Sequence, residues 1–260
     1  MEIVGYFLLI AVGLSLGMIG GGGSVLSVPI LIYLFSLDVV VASAYSLFIV
    51  GSTSLVGVVL KQHERLVDIT SAVRLGIPSL LATFVARKWI VCNIPDLVAQ
   101  IGEYQLTKRG LILVVFASLV ILSSLLMIRK KSHSDSVQHR GAHLFVVILT
   151  GIFVGLFSGI VGIGGGFLIL PALVLLLGLP FHIAVGTTLL IITVNSLLGF
   201  AGDVTNYPVD WVFLLSVTSL AVLGVFVGNS LNAHVSGSQL KKAFGWFTIV
   251  AGVTILITEL

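Results

Sequence analysis

Residues 17–29 read GMIGGGGSVLSVP, and residues 159–171 read GIVGIGGGFLILP. Each stretch opens on a glycine, meets a glycine cluster three residues later and closes on a proline. Pro29 of the first thus answers Pro171 of the second. Carried outward at that offset, Gly13–Asp68 aligns with Gly155–Asp210 without a gap. The pairs include Gly13/Gly155, Gly17/Gly159, Gly20/Gly162, Gly22/Gly164, Gly23/Gly165, Ala42/Ala184, Ser54/Ser196, Gly57/Gly199 and Asp68/Asp210. Leucine pairs arise by chance in so apolar a chain; matched glycines, prolines and aspartates do not. The chain reads as an internal duplication.

Around each glycine cluster the apolar pattern repeats. A run over 4–19 enters the first break, Gly20–Gly23, and a run of 13 residues, 25–37, leaves it. At 1.5 Å per residue those 13 residues reach about 20 Å, too short for a hydrocarbon core of about 30 Å. The second half repeats this with 144–161, a break at Gly162–Gly166, and 167–179. Longer spans follow at 39–60, 69–90 and 109–128, and again at 183–201, 211–231 and 243–258. The 260 residues are 58% hydrophobic and only 9% charged, and mean hydropathy is +1.22. Soluble domains carry about 25% charged residues, so soluble enzymes, nucleic-acid binders and disordered tails are excluded. The expected fold is an all-α polytopic membrane protein of two inverted repeats. About eight to ten transmembrane or half-membrane helices fit its length.

Residues 1–128 form the first repeat, 144–260 the second, and the hydrophilic segment 129–143, RKKSHSDSVQHRGAH, links them. The N-terminus has acidic Glu2 and no basic leader, so it reads as a first membrane helix rather than a cleaved signal. Lys61, Arg65, Arg74, Arg129, Lys130, Lys131, Arg140, Lys241 and Lys242 fall on one predicted face; Arg87, Lys88, Lys108 and Arg109 fall on the other. The positive-inside rule makes the first face cytoplasmic and puts both termini outside. Each half then holds an odd number of crossings, which requires inversion. A multi-pass membrane location follows.

The glycine clusters carry the functional signal. Broken backbone in lipid leaves peptide groups unpaired, unless it is buried in protein or lines a watery cavity. Glycine permits sharp bends and close approach by a solute. Helices restarting at Ser24 and Gly166 offer N–H groups and the positive end of a dipole, which together suit an anion. The candidate substrate-binding backbone is Gly20, Gly21, Gly22, Gly23, Gly162, Gly164, Gly165 and Gly166. Close helix packing through small residues is the competing explanation. Ser24, Ser46, Thr53, Ser54, Thr188, Asn195 and Ser196 are candidate donors. Ser46/Thr188, Thr53/Asn195 and Ser54/Ser196 occupy equivalent positions. For single hydroxyls, interhelical glue at about 0.6 kcal/mol each competes with that role. Pro29 and Pro171 are structural.

No phosphate loop is present, because neither cluster runs into Lys-Ser/Thr after a strand. No carboxylate stands mid-span to relay protons. Asp68 and Asp210 read as helix N-caps, and His182 as an interfacial residue. His133, His139 and His143 read as solvated linker residues. The single Cys92 excludes an internal disulfide. No nucleophile–base arrangement suggests an enzyme, and no cofactor or metal site is expected.

The motifs Gly17-x-x-Gly20-Gly-Gly-Gly-Ser-x4-Pro29 and Gly159-x-x-Gly162-x-Gly-Gly-Gly-x4-Pro171 resemble the twin glycine-proline signatures of the TauE/SafE family of sulfite exporters. The closing segment Leu240-Lys-Lys-Ala-Phe-Gly245 also fits, and the resemblance covers nearly the whole chain. It implies a membrane permease for small sulfur-containing anions such as sulfite, sulfoacetate or other organosulfonates. The partners expected are that anionic solute and the lipid bilayer, with no nucleic acid; a homo-oligomer is compatible with this layout. Transport of a metal cation or Na⁺ through the carbonyl ends of the same breaks remains an alternative, as does a membrane scaffold without transport. The first half departs from the second by an insertion around Val91–Gln105, carrying Asp96 and Glu103 on the predicted outer face.

Overall fold

Helices follow the apolar runs, even across Pro29, Pro78 and Pro171, and they stop where the glycine clusters and Asp-led turns interrupt them. A computed structural model describes residues 2–90, 97–101, 104–129, 144–161, 165–204, 209–232 and 235–259. Before the linker, α1 (Glu2–Ile19) leads through a 3-10 turn at Gly21–Gly23 into the short α2 (Ser24–Tyr33). Helix α3 (Val39–His63) and α4 (Ile69–Val85) follow, the latter prolonged by a π-helical turn at Ala86–Ile90. A hairpin of β1 (Leu97–Ile101) and β2 (Tyr104–Thr107) precedes α5 (Lys108–Arg129). After the linker come α6 (Leu144–Val161), the short α7 (Gly166–Leu175), α8 (Phe181–Asp203), α9 (Trp211–Asn232) and α10 (Gly237–Glu259).

Helices occupy the expected apolar runs, but α10 begins at Gly237 rather than 243, and α2 and α7 end at Tyr33 and Leu175 rather than 37 and 179. The all-α expectation holds apart from the hairpin, whose antiparallel register pairs Leu97 with Thr107 and Ile101 with Tyr104. It occupies the segment where the first half carries its insertion. Most of the linker, together with Gly162, Gly164, Cys92, Asp96, Glu103, His133, His139 and His143, lies outside the described residues. Among the described residues, five helices, Val39–His63, Ile69–Ile90, Leu144–Val161, Phe181–Asp203 and Trp211–Asn232, are long and apolar enough to cross a membrane. Val4–Ile19, Ser24–Tyr33, Leu113–Leu125 and Gly166–Leu175 are shorter apolar helices.

Burial is distributed as lipid requires. Phe7, Phe145, Val212 and Ile257 are among many large apolar side chains on the outside, while Ser24, Ser27, Ser46, Thr53, Ser54, Thr188, Asn195 and Ser196 are buried.

The packing is reciprocal between the halves. Helix α1 lies along α9, and α6 lies along α4. A Cβ on Gly13 would sit 1.8 Å from the Ala221 carbonyl oxygen, and one on Gly155 would sit 2.1 Å from that of Ser79. Gly17 and Gly159 press in the same way on the carbonyls of Val225 and Thr83. Ser79 and Ala221 are themselves equivalent at the offset that relates the two prolines, as are Thr83 and Val225. These matched glycines therefore serve close backbone packing.

At the centre α3 crosses α8. Leu189 fills the space beside Gly57, and Leu47 fills the space beside Gly199. The low-numbered end of each helix thus meets the high-numbered end of the other, so the two run antiparallel. Helices α5 and α10 do the same, with Gly252 against Ala117 and Ile121 and Ser124 Oγ 2.5 Å from Thr248 Oγ1.

Candidate functional site

The two glycine breaks meet. A Cβ on Gly21 would lie 2.3 Å from the backbone of Gly166, and one on Gly166 would lie 2.4 Å from Gly21 Cα. Only residues without side chains allow main chain to touch main chain in this way. Among the described residues each break holds a left-handed glycine, Gly20 with φ +72° and Gly165 with φ +72°. Their details differ. In the second half α7 begins at Gly166 with no side-chain cap on Gly165. In the first half Gly23 is already right-handed helical before Ser24. The 3-10 turn at Gly21–Gly23 runs into α2, so Ser24 lies within a helical run rather than opening one. Gly22 belongs to that turn. Pro29 and Pro171 are each the sixth residue of their short helix, where each removes one i→i−4 hydrogen bond.

The expected donors divide into two groups. Several are already committed to the protein. Ser24 Oγ donates to the Gly21 carbonyl at 2.6 Å. Ser46 Oγ is 2.6 Å from Ser27 Oγ, and Ser27 also donates to the Ser24 carbonyl. Thr53 turns back onto the Ile49 carbonyl at 2.6 Å. Asn195 Nδ2 donates to Ser79 Oγ at 3.0 Å. By contrast, the hydroxyls of Ser54, Thr188 and Ser196 are buried without a hydrogen-bond partner among the described residues, as is that of Ser158. Leaving such a group unpaired costs about 1–3 kcal/mol. Ser54 and Ser196 stand at equivalent positions on the antiparallel α3 and α8, and both are buried unsatisfied.

Other polar groups in the third helices are ties. The Asp68 N–H donates to Thr187 Oγ1 at 3.0 Å, and the Asp210 N–H donates to Tyr45 Oη at 2.7 Å. Tyr45 and Thr187 are equivalent at the repeat offset, so one bond is made twice with different side chains. Both aspartates cap their helices. Asp68 Oδ1 accepts from the N–H groups of Thr70 and Ser71, and Asp210 Oδ1 accepts from that of Phe213.

Charge is placed at the two ends of α3. Lys61 has an exposure of only 1%. It donates to Glu64 Oε2 at 3.1 Å and to Asn232 Oδ1 at 3.0 Å. Asn232 Nδ2 in turn donates to the Met18 carbonyl in the last turn of α1, and His182 Nδ1 is 3.2 Å from Asn232 Oδ1. Asn229 Nδ2 donates to Glu64 Oε1 at 3.2 Å. At the other end Arg87 pairs with Asp203, at side-chain exposures of 15% and 19%, and Arg87 Nη2 donates to Ser43 Oγ at 2.6 Å. Ser43 lies in the second turn of α3 and Lys61 in its last, so nearly the whole helix separates these two clusters.

A cavity of about 330 Å³ opens between α4 and α8 at the Arg87 end. It is lined by Thr83, Arg87, Lys88, Asn195, Gly199 and Asp203, among others. The sequence pattern marks Lys61, Arg87 and Asp203 only as span-end or loop charges and gives no weight to Asn229 and Asn232. The available signal was positional. Lys61 and Asp203 are equivalent at the repeat offset, as are Arg87 and Asn229. Among the described residues, no three His, Cys, Asp or Glu side chains gather in a metal-binding group.

Comparison with known proteins gives a consistent result. The family model for sulfite exporter TauE/SafE matches residues 6–255. A probable membrane transporter protein of Xylella fastidiosa (strain Temecula1 / ATCC 700964) is 27% identical over 262 residues, covering 94% of this chain and 91% of that protein. The probable membrane transporter protein YdhB of Bacillus subtilis (strain 168) is 28% identical over 244 residues, covering 94% of this chain and 96% of its own. A probable membrane transporter protein of Methanocaldococcus jannaschii is 24% identical, with 96% and 95% coverage. No solved structure matches the chain.

Proposed function

We propose, from the premise that the chain belongs to the sulfite exporter TauE/SafE family, that it is a secondary transporter of small sulfur-containing anions such as sulfite or organosulfonates. Family membership and the names of its relatives make it a multi-pass membrane transporter. The cargo, the inverted repeats and the binding residues are our reading. It rests on one observation above all: the two glycine breaks touch at Gly21 and Gly166. Broken backbone buried in this way is what a transporter fold uses to hold a solute between its repeats.

The inverted arrangement is supported by the antiparallel crossing of equivalent helices, α3 with α8 and α5 with α10. A two-fold relation between antiparallel partners has its axis perpendicular to the helices, which is the membrane plane. Basic residues favour the Lys61 end as cytoplasmic and both termini as outside, in the cytoplasmic (inner) cell membrane. The solute then sits at Gly20–Gly23 and Gly162–Gly166, with Ser54, Thr188 and Ser196 supplying the uncommitted hydroxyls and Asn195 an amide. Neutral donors suit the three oxygens of a sulfonate without a buried lysine to desolvate. Rocking of one repeat against the other exposes the site to each face in turn. No nucleophile–base pair enters this reading, which is that of a carrier and not of an enzyme.

The test is uptake of radiolabelled sulfite into proteoliposomes, with organosulfonates and monovalent and divalent cations as competitors. Saturable flux blocked by a sulfonate is the expected result. Inhibition by cations alone would transfer the breaks to a cation. Gly22→Val and Gly165→Val should abolish flux while the proteins still insert and purify as monodisperse species; undiminished flux in both would remove the breaks from the pathway.

A further inference from the structure

The cavity between α4 and α8 runs along one face of α8 from Asp203 to Asn195, a little over two helical turns. Its inner limit is thus Asn195, a residue of the proposed solute site. Its outer limit is the Arg87–Asp203 ion pair. Arg87 and Lys88 contribute two positive charges to the lining, and Asp203 contributes one negative charge. The balance repels an incoming cation and draws an incoming anion. The volume of about 330 Å³ lies at the lower bound usual for small-molecule pockets. On the α8 side, a Cβ on Gly202 would meet nothing within 4 Å among the described residues.

A guanidinium presents a planar fork of donors that fits carboxylates and other oxyanions alike. Here Ser43 takes Nη2 and Asp203 faces the Nη1 side. An oxyanion that displaces Asp203 inherits the same fork, so the positive charge is never left unpaired in a poorly solvated place. That exchange avoids the cost that a bare buried arginine would carry.

We propose that this cavity is an anion-binding station on the transport path at the Arg87 end, and that Arg87 binds the anion by exchanging Asp203 for it. The proposal rests on the anion-transport reading above. Asp203 is then both the partner that holds Arg87 in the empty protein and the competitor that the solute must displace. Its carboxylate is released toward the cavity mouth when the anion arrives.

The experiment measures the half-saturating concentration for sulfite flux in proteoliposomes. Arg87→Gln should raise it about tenfold or more, and Arg87→Lys should recover part of that loss. Asp203→Asn should lower it several-fold by removing the competitor. The double variant Arg87→Gln/Asp203→Asn leaves no unpaired charge, so it keeps the fold while still requiring the higher concentration. Gly202→Phe fills the chamber without a clash at Cβ and should block flux. Wild-type values in Arg87→Gln and in the double variant, or full flux in Gly202→Phe, would overturn the assignment.

A second measurement does not depend on sulfite. In a Cys92→Ser, Gly202→Cys protein, maleimide labelling of the new thiol is followed with and without sulfoacetate, acetate or phosphate. Protection by one of these anions that is lost on adding Arg87→Gln supports the site even if sulfite itself is not carried. Labelling that no anion slows would overturn it, whatever the flux assay gives.

Discussion

At the Lys61 end of the central helix pair, a lysine with 1% exposure is held by Asn232 and Glu64, and Asn232 also covers the last turn of α1. At the Arg87 end, a partly buried arginine meets Asp203 and Ser43 beside a cavity. The two ends are built on equivalent positions, Lys61 with Asp203 and Asn229 with Arg87, yet the charges are rearranged. One end is a closed amide–lysine network, and the other is an arginine–aspartate pair, also tied to Ser43, with space next to it. The chain around them differs as well: α4 leads through a π-turn toward the hairpin, whereas α9 reaches α10 across a short connection. Between the ends, the close glycine packing of α1 on α9 is repeated by that of α6 on α4. The duplicated backbone contacts have stayed fixed, while the side chains that close each end have diverged. That is the pattern expected when packing constrains both copies equally but the two faces meet different surroundings.

The comparison can be broken first at its symmetric part. Gly13→Val and Gly155→Val each drive a side chain into a carbonyl, at Ala221 and Ser79, and both should abolish accumulation of folded protein. Size-exclusion profiles in detergent measure this; a variant that folds normally beside a lost partner would refute the equivalence of the α1–α9 and α6–α4 contacts.

The ends should differ next. Arg87→Gln leaves Asp203 facing a cavity without its cation and should destabilise by about 2–3 kcal/mol, below the full cost for a deeply buried pair because both groups retain some exposure. Lys61→Gln should cost about 1–2 kcal/mol, since Glu64 is solvated and an amide can still donate to Asn232. Chemical unfolding in detergent ranks the two, and the reverse order would contradict the picture of a closed end and an open one.

A smaller effect tests the shared tie. Tyr45→Phe and Thr187→Val each delete one hydrogen bond to an N-cap backbone and should each cost about 1 kcal/mol. Matching losses sharpen the two-fold relation; a loss in one alone would show that only one tie bears weight. The smallest difference concerns the caps. Asp68 accepts from two N–H groups and from Ser71 Oγ, whereas Asp210 accepts from one. Asp68→Ala should therefore exceed Asp210→Ala by about 0.5 kcal/mol, readable as a difference in unfolding midpoint.

Much of the candidate site was legible because its signals are local. A glycine run inside an apolar segment is a break wherever it is packed, and Gly20 and Gly165 both adopt left-handed φ. An aspartate before an apolar run is a cap whatever lies beyond it. The use of each hydroxyl was not legible. Ser24 and Thr53 spend theirs on their own helices, and Ser46 spends its on Ser27, a residue with nothing in its surroundings along the chain to mark it. Ser54, Thr188 and Ser196 were left unspent by the way α3 and α8 cross. The role of matched Gly13 and Gly155 was equally hidden, since a glycine that packs and a glycine that bends look alike in one dimension.

By itself the sequence determined the duplication, the helical segments, the breaks and the capped turns, because periodicity, composition and backbone preference act over a few residues. Only the tertiary structure decided that α1 lies on α9, that the breaks touch at Gly21 and Gly166, and that Lys61 is buried. It alone paired Arg87 of the first half with Asp203 of the second. Those outcomes depend on which faces meet in three dimensions, and a helical pattern states that a face must be covered without stating by what.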